Sequence, residues 1–422
     1  MKICILSTKF PPHNIGGEEL YAKSLYDSLS KKHTVFNVNN TYGKTYDDEK
    51  IINLSCRTST LFNALNLPNP TVYLKLRRVF KKLKPDVIHI NNTHTTLSTE
   101  PFFASSGFPT VVEIHDWALL CVAGDNIRDN EPCNRFDQCW KCVHDYYLQR
   151  LSFRTRSPFR VIVKFFWKHT NIGLRNKALD LVRKRLAKMS LSRVDRIICP
   201  SKTVMNACQA FGISDDKLVY LPYGVDLSQY EVTPVPESPA VGFVGRLHHT
   251  KGCHILVQAF KTVVAEIPEA QLHIVGEGEE RDTLERMVQD LRLEQNVCFL
   301  GKMVREEAVA FCRKMQFLVI PSIWAETPAL ITYDAMASMR TVIASDIGDF
   351  PELVANNKNG LLVEPHNPEK LSERIIYLLR NPSITKELAV NALQTIKGYD
   401  IRPRNDKLVE VYTSLKGVDI SA

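Results

Sequence analysis

Phe317-Leu318-Val319-Ile320-Pro321-Ser322-Ile323-Trp324-Ala325-Glu326-Thr327-Pro328-Ala329-Leu330-Ile331-Thr332-Tyr333-Asp334-Ala335-Met336-Ala337 carries the grammar of the whole chain. A short apolar run, Phe317–Pro321, reads as a buried strand, and a mixed apolar stretch long enough for a helix follows it. Thr327 suits a helix N-cap and Pro328 the first helical position. The same unit recurs outward in both directions. Toward the C-terminus come Thr341–Ser345 and Gly360–Val363; toward the N-terminus come Asn296–Leu300, Gln271–Gly276 and Val241–Gly245. Further upstream lie Lys217–Leu221, Arg196–Cys199, Thr110–Ile114, Asp86–Ile90, Thr34–Val38 and Lys2–Leu6. Helical patterns such as Val304–Lys314 and Pro368–Leu379 fill most gaps. Short β-branched runs alternating with amphipathic helices predict βαβ units and parallel sheets. Two sets of about six strands predict an α/β protein with two doubly wound, Rossmann-like sheets.

The 422 residues are too many for one compact domain and suffice for two. The Pro-rich stretch Thr233-Pro234-Val235-Pro236-Glu237-Ser238-Pro239 marks the boundary, since its prolines prevent helix. The expected layout is an N-terminal domain over 1–222 and a linker over 223–239. A C-terminal domain over 240–397 follows, then a helical tail over 398–422 that packs back across the junction. A composition of 44% hydrophobic and 24% charged residues is globular. No apolar run approaches the ~20 residues of a membrane-spanning helix, and the opening run to Pro11-Pro12 is too short for a signal-peptide core. Eleven cysteines, most of them single within apolar runs (Cys4, Cys199, Cys298, Cys312), fit a reducing cytosol better than a disulfide framework.

Doubly wound sheets bind ligands outside the carboxyl ends of their strands, so the residues after each strand carry the functional reading. After Phe317–Pro321, the amides of Ala329 and Leu330 stand at a helix N-terminus suited to an anion, with Glu326 just outside and Asp334 inside. The plainer reading is a helix with a favourable acidic first turn. After Val241–Gly245, Arg246 and Lys251 flank Leu247-His248-His249-Thr250 and precede Gly252, so a guanidinium fork and an ammonium can neutralise a phosphate leaving group. The spacing is not that of a P-loop. After the first strand, Gly16 and Gly17 let backbone approach a ligand; Gly276-Glu277-Gly278 is a similar pair. Neither has the third glycine of the dinucleotide fingerprint, and a plain tight turn rivals both. After Thr110–Ile114, His115-Asp116 could bond a sugar or move protons, against the plainer role of a structural histidine.

Taken together and in this order, the motifs resemble the family 4 retaining nucleotide-sugar glycosyltransferases of the GT-B fold. The resemblance runs through Gly16-Gly17, His115-Asp116, Pro222-Tyr223-Gly224-Val225-Asp226, Gly245-Arg246-Leu247 with Lys251-Gly252, and Gly348-Asp349-Phe350-Pro351-Glu352-Leu353-Val354. Its most diagnostic element, Glu-x7-Glu, is met by Glu326 and, a methylene short, by Asp334. It implies two Rossmann-like domains facing each other across a cleft. It also implies a nucleotide-sugar donor and same-face displacement, with a departing phosphate oxygen as the base toward the acceptor hydroxyl. Arg246 and Lys251 would hold the diphosphate, and Pro328, Ala329 and Leu330 would form the phosphate-binding turn. Glu326 would contact the sugar, Asp334 the ribose hydroxyls and His115 the sugar from the other domain. Gly16 and Gly17 would lie near the diphosphate and acceptor. With no Asp-x-Asp pair in the sequence, no metal is expected to be required for catalysis.

Cys121, Cys133, Cys139 and Cys142, spaced Cys-x11-Cys-x5-Cys-x2-Cys, fit a structural zinc site or four free thiols in an irregular loop. They open a Cys-bearing and basic insertion at about 117–192. Residues 1–222 hold 33 Lys+Arg and 19 Asp+Glu, a balance of +14, whereas the rest of the chain carries −6. From Arg150 to Arg196 there are 14 basic residues. Arg160, Lys164 and Lys168 recur beside Val161, Ile162, Phe165 and Phe166 as in a basic amphipathic helix on an anionic membrane surface. A helix packed on its own domain is the rival. The expected partners are a nucleotide-sugar donor, a glycan or lipid-linked acceptor of surface-polysaccharide assembly and an anionic membrane, with no specific nucleic acid. The expected location is cytoplasmic, peripheral at the inner face of the cell membrane. A nucleotide-sugar-binding protein without transfer activity and a GT-B nucleotide-sugar epimerase are the alternatives.

Overall fold

A computed structural model describes residues 1–12, 17–58, 66–91, 97–115, 119–121, 127–128, 131–132, 172–325 and 329–415. The chain divides into two units, Met1–Leu221 with Asn405–Ala422, and Pro222–Arg404.

Unit 1 is built on strands β1 (Lys2–Ser7), β2 (Thr34–Asn39), β3 (Ile51–Asn53), β4 (Val87–Ile90), β5 (Thr110–Glu113), β8 (Arg196–Cys199) and β9 (Leu218–Tyr220). They form one parallel sheet in the order β3-β2-β1-β4-β5-β8-β9. Two further strands, β6 (Ile127–Arg128) and β7 (Glu131–Pro132), pair antiparallel as a separate ribbon. The central strands are apolar on both faces (Ile3, Cys4, Ile5 and Leu6 are wholly buried), as a sheet covered by helices requires. Local chemistry sets helix ends. Asn69 caps Pro70–Leu83 by accepting from Thr71 N–H, and Ser201 caps Lys202–Ala210 by accepting from Val204 N–H. Strand β3 is absent from the sequence expectation because three half-buried residues show no period; pairing with β2 (Asn37 opposite Ile51) forms it.

Unit 2 contains β10 (Ala240–Val244), β11 (Gln271–Val275), β12 (Val297–Gly301), β13 (Phe317–Ile320), β14 (Thr341–Ser345) and β15 (Leu361–Val363). The sheet is again parallel, in the order β12-β11-β10-β13-β14-β15. In each unit the strand order reverses beside the first strand, between β1 and β4 and between β10 and β13. Those reversals open a ligand crevice at the carboxyl ends of such sheets.

The 223–239 segment, expected as a linker, is held by Arg340, which is fully buried and reaches into it. Its guanidinium donates to the carbonyls of Thr233 (2.9 Å) and Pro234 (3.1 Å) and to Thr233 Oγ1 (2.9 Å). Further bonds go to the carbonyls of Met315 (2.8 Å), Ser338 and Arg313. Burial pulls this guanidinium down to about 10. Cys298 is exposed rather than buried, because β12 is an edge strand and Cys298 points off its outer face; the other seven described cysteines are buried. Among the described residues no helix is long and apolar enough to cross a membrane.

Candidate functional site

The β10–β13 reversal brings together two stretches that the sequence singles out. Residues 245–252 leave the end of β10, and residues 321–325 leave the end of β13. They are joined directly: Ile323 N–H donates to the Thr250 carbonyl (3.0 Å), as does Ser322 Oγ (3.2 Å). Gly252 permits this approach, since its φ of +68° is left-handed and a Cβ there would lie 1.8 Å from the Pro321 oxygen. On the other side, Leu247 N–H donates to the Glu277 carbonyl (3.0 Å) and Glu280 N–H to the Leu247 carbonyl (3.1 Å). Gly276, at φ +144°, packs so closely that a Cβ would stand 1.8 Å from the Gly245 oxygen. The glycine pair at 276–278 therefore serves packing of the Arg246 loop.

Arg246 is exposed at this end of the sheet. Lys251 closes the short turn His249–Lys251 and lies with its ammonium 5.8 Å above the Trp324 ring. The helix after β13 spans Leu330–Ala337, with Ala329 as its N-cap residue at ψ 137°. This moves the helix start two residues beyond the expected Pro328, because Ala329 is extended. Alanine offers no acceptor, so the N-cap side chain takes none of the first-turn amides. Thr332 N–H turns back to the Ala329 carbonyl (2.8 Å), which leaves those of Leu330 and Ile331, among the described residues, as the pair suited to an anion. Glu326, Thr327 and Pro328 lie outside the described residues.

Asp334 is buried inside the same helix and is already engaged. Arg305 Nη2 donates to its Oδ1 at 2.9 Å, and the Tyr230 hydroxyl donates to the same oxygen. Arg305 also donates to the Tyr230 oxygen (2.7 Å), which closes a three-membered network. Burial draws the Arg305 guanidinium down, but the Asp334 carboxylate beside it raises it overall; burial and that same carboxylate push the Tyr230 phenol up. Tyr230 and Arg305 escape sequence reading. One lies in the segment read as linker, the other opens the Arg305–Lys314 helix, and no spacing rule links them to Asp334. Both bonds to Asp334 use Oδ1, and among the described residues Oδ2 bonds to neither side chain.

In unit 1, Gly17 begins the Gly17–Ser30 helix after β1, while Gly16 lies outside the described residues. His115 follows β5, nearly buried, with Nε2 3.1 Å from Asn91 Oδ1 at the end of β4 and its ring edge-on to Tyr21 at 5.0 Å. A buried polar chain lies behind it. The Tyr21 hydroxyl donates to Glu113 Oε1 (2.8 Å), Glu113 Oε2 is 3.4 Å from His89 Nε2, and His89 Nδ1 is 2.5 Å from the Tyr412 hydroxyl. Tyr412 belongs to the C-terminal helix Ile401–Ser414, which this contact ties to unit 1.

Cys121 is buried, and its carbonyl accepts from Arg183 (2.6 Å). Cys133, Cys139 and Cys142 lie outside the described residues, as does the 160–168 stretch. Arg183 thus leaves the basic surface. The Ile172–Ser192 helix instead exposes Leu181, Val182 and Met189 beside Lys177, Arg185 and Lys188.

Two doubly wound parallel sheets, each with its candidate groups at the strand reversal, define the architecture of two-domain GT-B glycosyltransferases. Residues 15–229 match Glycosyltransferase Family 4 and residues 230–395 match Glycosyl transferases group 1, so the chain belongs to this glycosyltransferase family. The chain is 24% identical over 299 residues to a D-inositol 3-phosphate glycosyltransferase of Nocardia farcinica, covering 64% of this chain and 66% of that one. It is 31% identical over 157 residues to the poly(ribitol-phosphate) alpha-N-acetylglucosaminyltransferase of Staphylococcus aureus, covering 37% and 31%. These matches span less than two thirds of those relatives' lengths. Over 98% of this chain and 100% of that one, the fold is similar to Anabaena Alr3699/HepE solved with UDP, at 19% identity and a TM-score of 0.70. The sucrose-phosphate synthase of Thermosynechococcus elongatus gives 20% identity and a TM-score of 0.71 over 98% of each chain.

Proposed function

We propose that this chain transfers a sugar, with retention, from a nucleotide-sugar donor to an acceptor hydroxyl. The observation that carries the reading is the joining of the Arg246–Lys251 loop, through the Thr250 carbonyl, to Ser322 and Ile323, which follow β13 and precede the Leu330–Ala337 helix in the chain. Cleaving a glycosyl–phosphate bond develops negative charge on the departing diphosphate. A guanidinium and an ammonium on a loop held by backbone contacts, with the uncapped amides of Leu330 and Ile331, stabilise that charge without reorganising. Asp334 Oδ2 takes the ribose hydroxyls, while Arg305 and Tyr230 fix the carboxylate's orientation through Oδ1. That fixed orientation lets an aspartate serve where the family has a glutamate. The family resemblance assigns the sugar's hydroxyls to Glu326, a further sugar contact to His115, and the neighbourhood of diphosphate and acceptor to Gly16 and Gly17. No metal is needed to neutralise the leaving group in this scheme. A departing phosphate oxygen receives the proton of the acceptor hydroxyl as the new glycosidic bond forms on the same face.

The acceptor we favour is a lipid-linked glycan met at an anionic membrane surface. Support comes from the exposed apolar residues Leu181, Val182 and Met189 among Lys177, Arg185 and Lys188. The Pro70–Leu83 helix, with exposed Leu74 beside Lys75, Arg78, Lys81 and Lys82, adds a second basic face. Alr3699/HepE was solved with UDP and with UDP-glucose, so UDP-sugars head the donor panel.

The test is product analysis with the donor panel and an acceptor extract. Glu326→Gln is expected to remove most turnover with the fold intact, and Asp334→Glu to retain it. Full activity of Glu326→Gln, or an epimerised donor formed without acceptor, would overturn the reading.

A further inference from the structure

Behind the Arg246–Lys251 loop lies a cluster that the proposed reaction does not use. His249 stands on the turn before Lys251, His254 in the first turn of the Cys253–Glu266 helix, and Glu280 at the N-cap position of the Arg281–Asp290 helix. Glu280 Oε2 lies 3.8 Å from His254 Nδ1 and 4.0 Å from His249 Nδ1, and the three ligand atoms fall within 4.8 Å of one another. The imidazole rings are stacked, 4.5 Å apart and 7° from parallel. His254 Nδ1 is buried and has no hydrogen-bond partner, a costly state for a ring nitrogen. Among the described residues no other group of three such side chains converges this way.

From this geometry we propose that His249, His254 and Glu280 form a binding site for a first-row divalent transition-metal ion. Two imidazole nitrogens and one carboxylate oxygen are the donor set such ions take, leaving a further position for water. Metal–ligand bonds of about 2.0–2.2 Å place tetrahedral ligands about 3.4 Å apart, so the two Glu280–imidazole spacings close by roughly half an ångström and the imidazole–imidazole spacing, within 4.8 Å, by at most about 1.4 Å. The side chains can supply that movement: His249 is 63% exposed and Glu280 24%, whereas His254, at 18%, is the fixed member. His249 must also turn out of the stack so that the lone pairs converge. Burial and the neighbouring His249 lower the His254 imidazole, which keeps it in the neutral form that ligates. The ion would cross-link the turn carrying Lys251 to the helix start that already binds the Leu247 carbonyl. A role in stiffening a diphosphate loop rests on the proposed function; the binding itself does not.

The experiment titrates the full-length, metal-free chain with Co²⁺, followed by visible absorption and by thermal unfolding. Wild type is expected to show ligand-field bands of nitrogen and oxygen ligation, without thiolate charge transfer, and a raised melting temperature. His254→Ala and the exposed His249→Ala are expected to lose these bands and about tenfold or more in affinity, with circular dichroism unchanged. Binding by His249→Ala equal to wild type would overturn the proposal. So would thiolate-type spectra alone, or no ligand-field bands in wild type. Nucleotide binding measured on the same samples keeps failure of the metal site distinct from failure of the transferase reading.

Discussion

Replacing Arg305 by methionine keeps an apolar stem and removes the cation from Asp334. The carboxylate is 6% exposed and the guanidinium 24%, so water cannot take over the lost bonds fully. Removing one partner of a buried ion pair costs about 3–5 kcal/mol. The Tyr230 hydroxyl remains and the site is partly open on the arginine side, which sets the expectation at about 3 kcal/mol. In a unit the size of Pro222–Arg404, each kcal/mol lowers the midpoint by about 2–4 °C, so its transition should fall by about 6–12 °C. Differential scanning calorimetry of the full chain reads this shift. Asp334→Asn relieves the stranded charge, so the double variant should recover part of the loss, with a coupling of about 2 kcal/mol. A shift below about 2 °C, or strictly additive effects, would show that Arg305 does not hold Asp334, and the account of its orientation would fall.

Arg340→Lys should destabilise unit 2 by about 2 kcal/mol or more, because an ammonium cannot reach the carbonyls of Thr233, Pro234 and Met315 together. Urea denaturation checks this, and a wild-type midpoint would contradict it. In liposome flotation the chain should prefer anionic over neutral vesicles, and reversing Lys177, Arg185 and Lys188 to glutamate should abolish the preference; equal flotation on both lipids would remove the membrane reading.

Most of the fold was legible because parallel strands buried on both faces are short runs with apolar, β-branched centres. Phe317–Ile320 and the Val342-Ile343-Ala344 centre of Thr341–Ser345 read this way, with every residue buried. Reading failed where long-range pairing decides the outcome. The edge strand Ile51–Asn53 owes its form to Asn37–Asn39, and Pro234 is ordered by an arginine 106 residues away. Within the candidate site, Arg246, Lys251, Leu330 and Asp334 stand out in the sequence as chemistry following a strand, and the structure places them after β10 and β13. The partners of Asp334 were not, since Tyr230 is 104 positions distant and Arg305 is 29. The helix start was misplaced for a local reason: Thr327-Pro328 has good cap chemistry, but Ala329 remains extended.

The central claim is that a diphosphate is held by Arg246, Lys251 and the uncapped start of the Leu330–Ala337 helix. Isothermal titration of a nucleoside diphosphate and its monophosphate into wild type, Arg246→Ala and Lys251→Ala tests it most directly. Each charge-assisted bond contributes about 1.5–3 kcal/mol, so each variant should lose about tenfold or more in diphosphate affinity and much of the preference over the monophosphate. Diphosphate binding unchanged in both variants would contradict it.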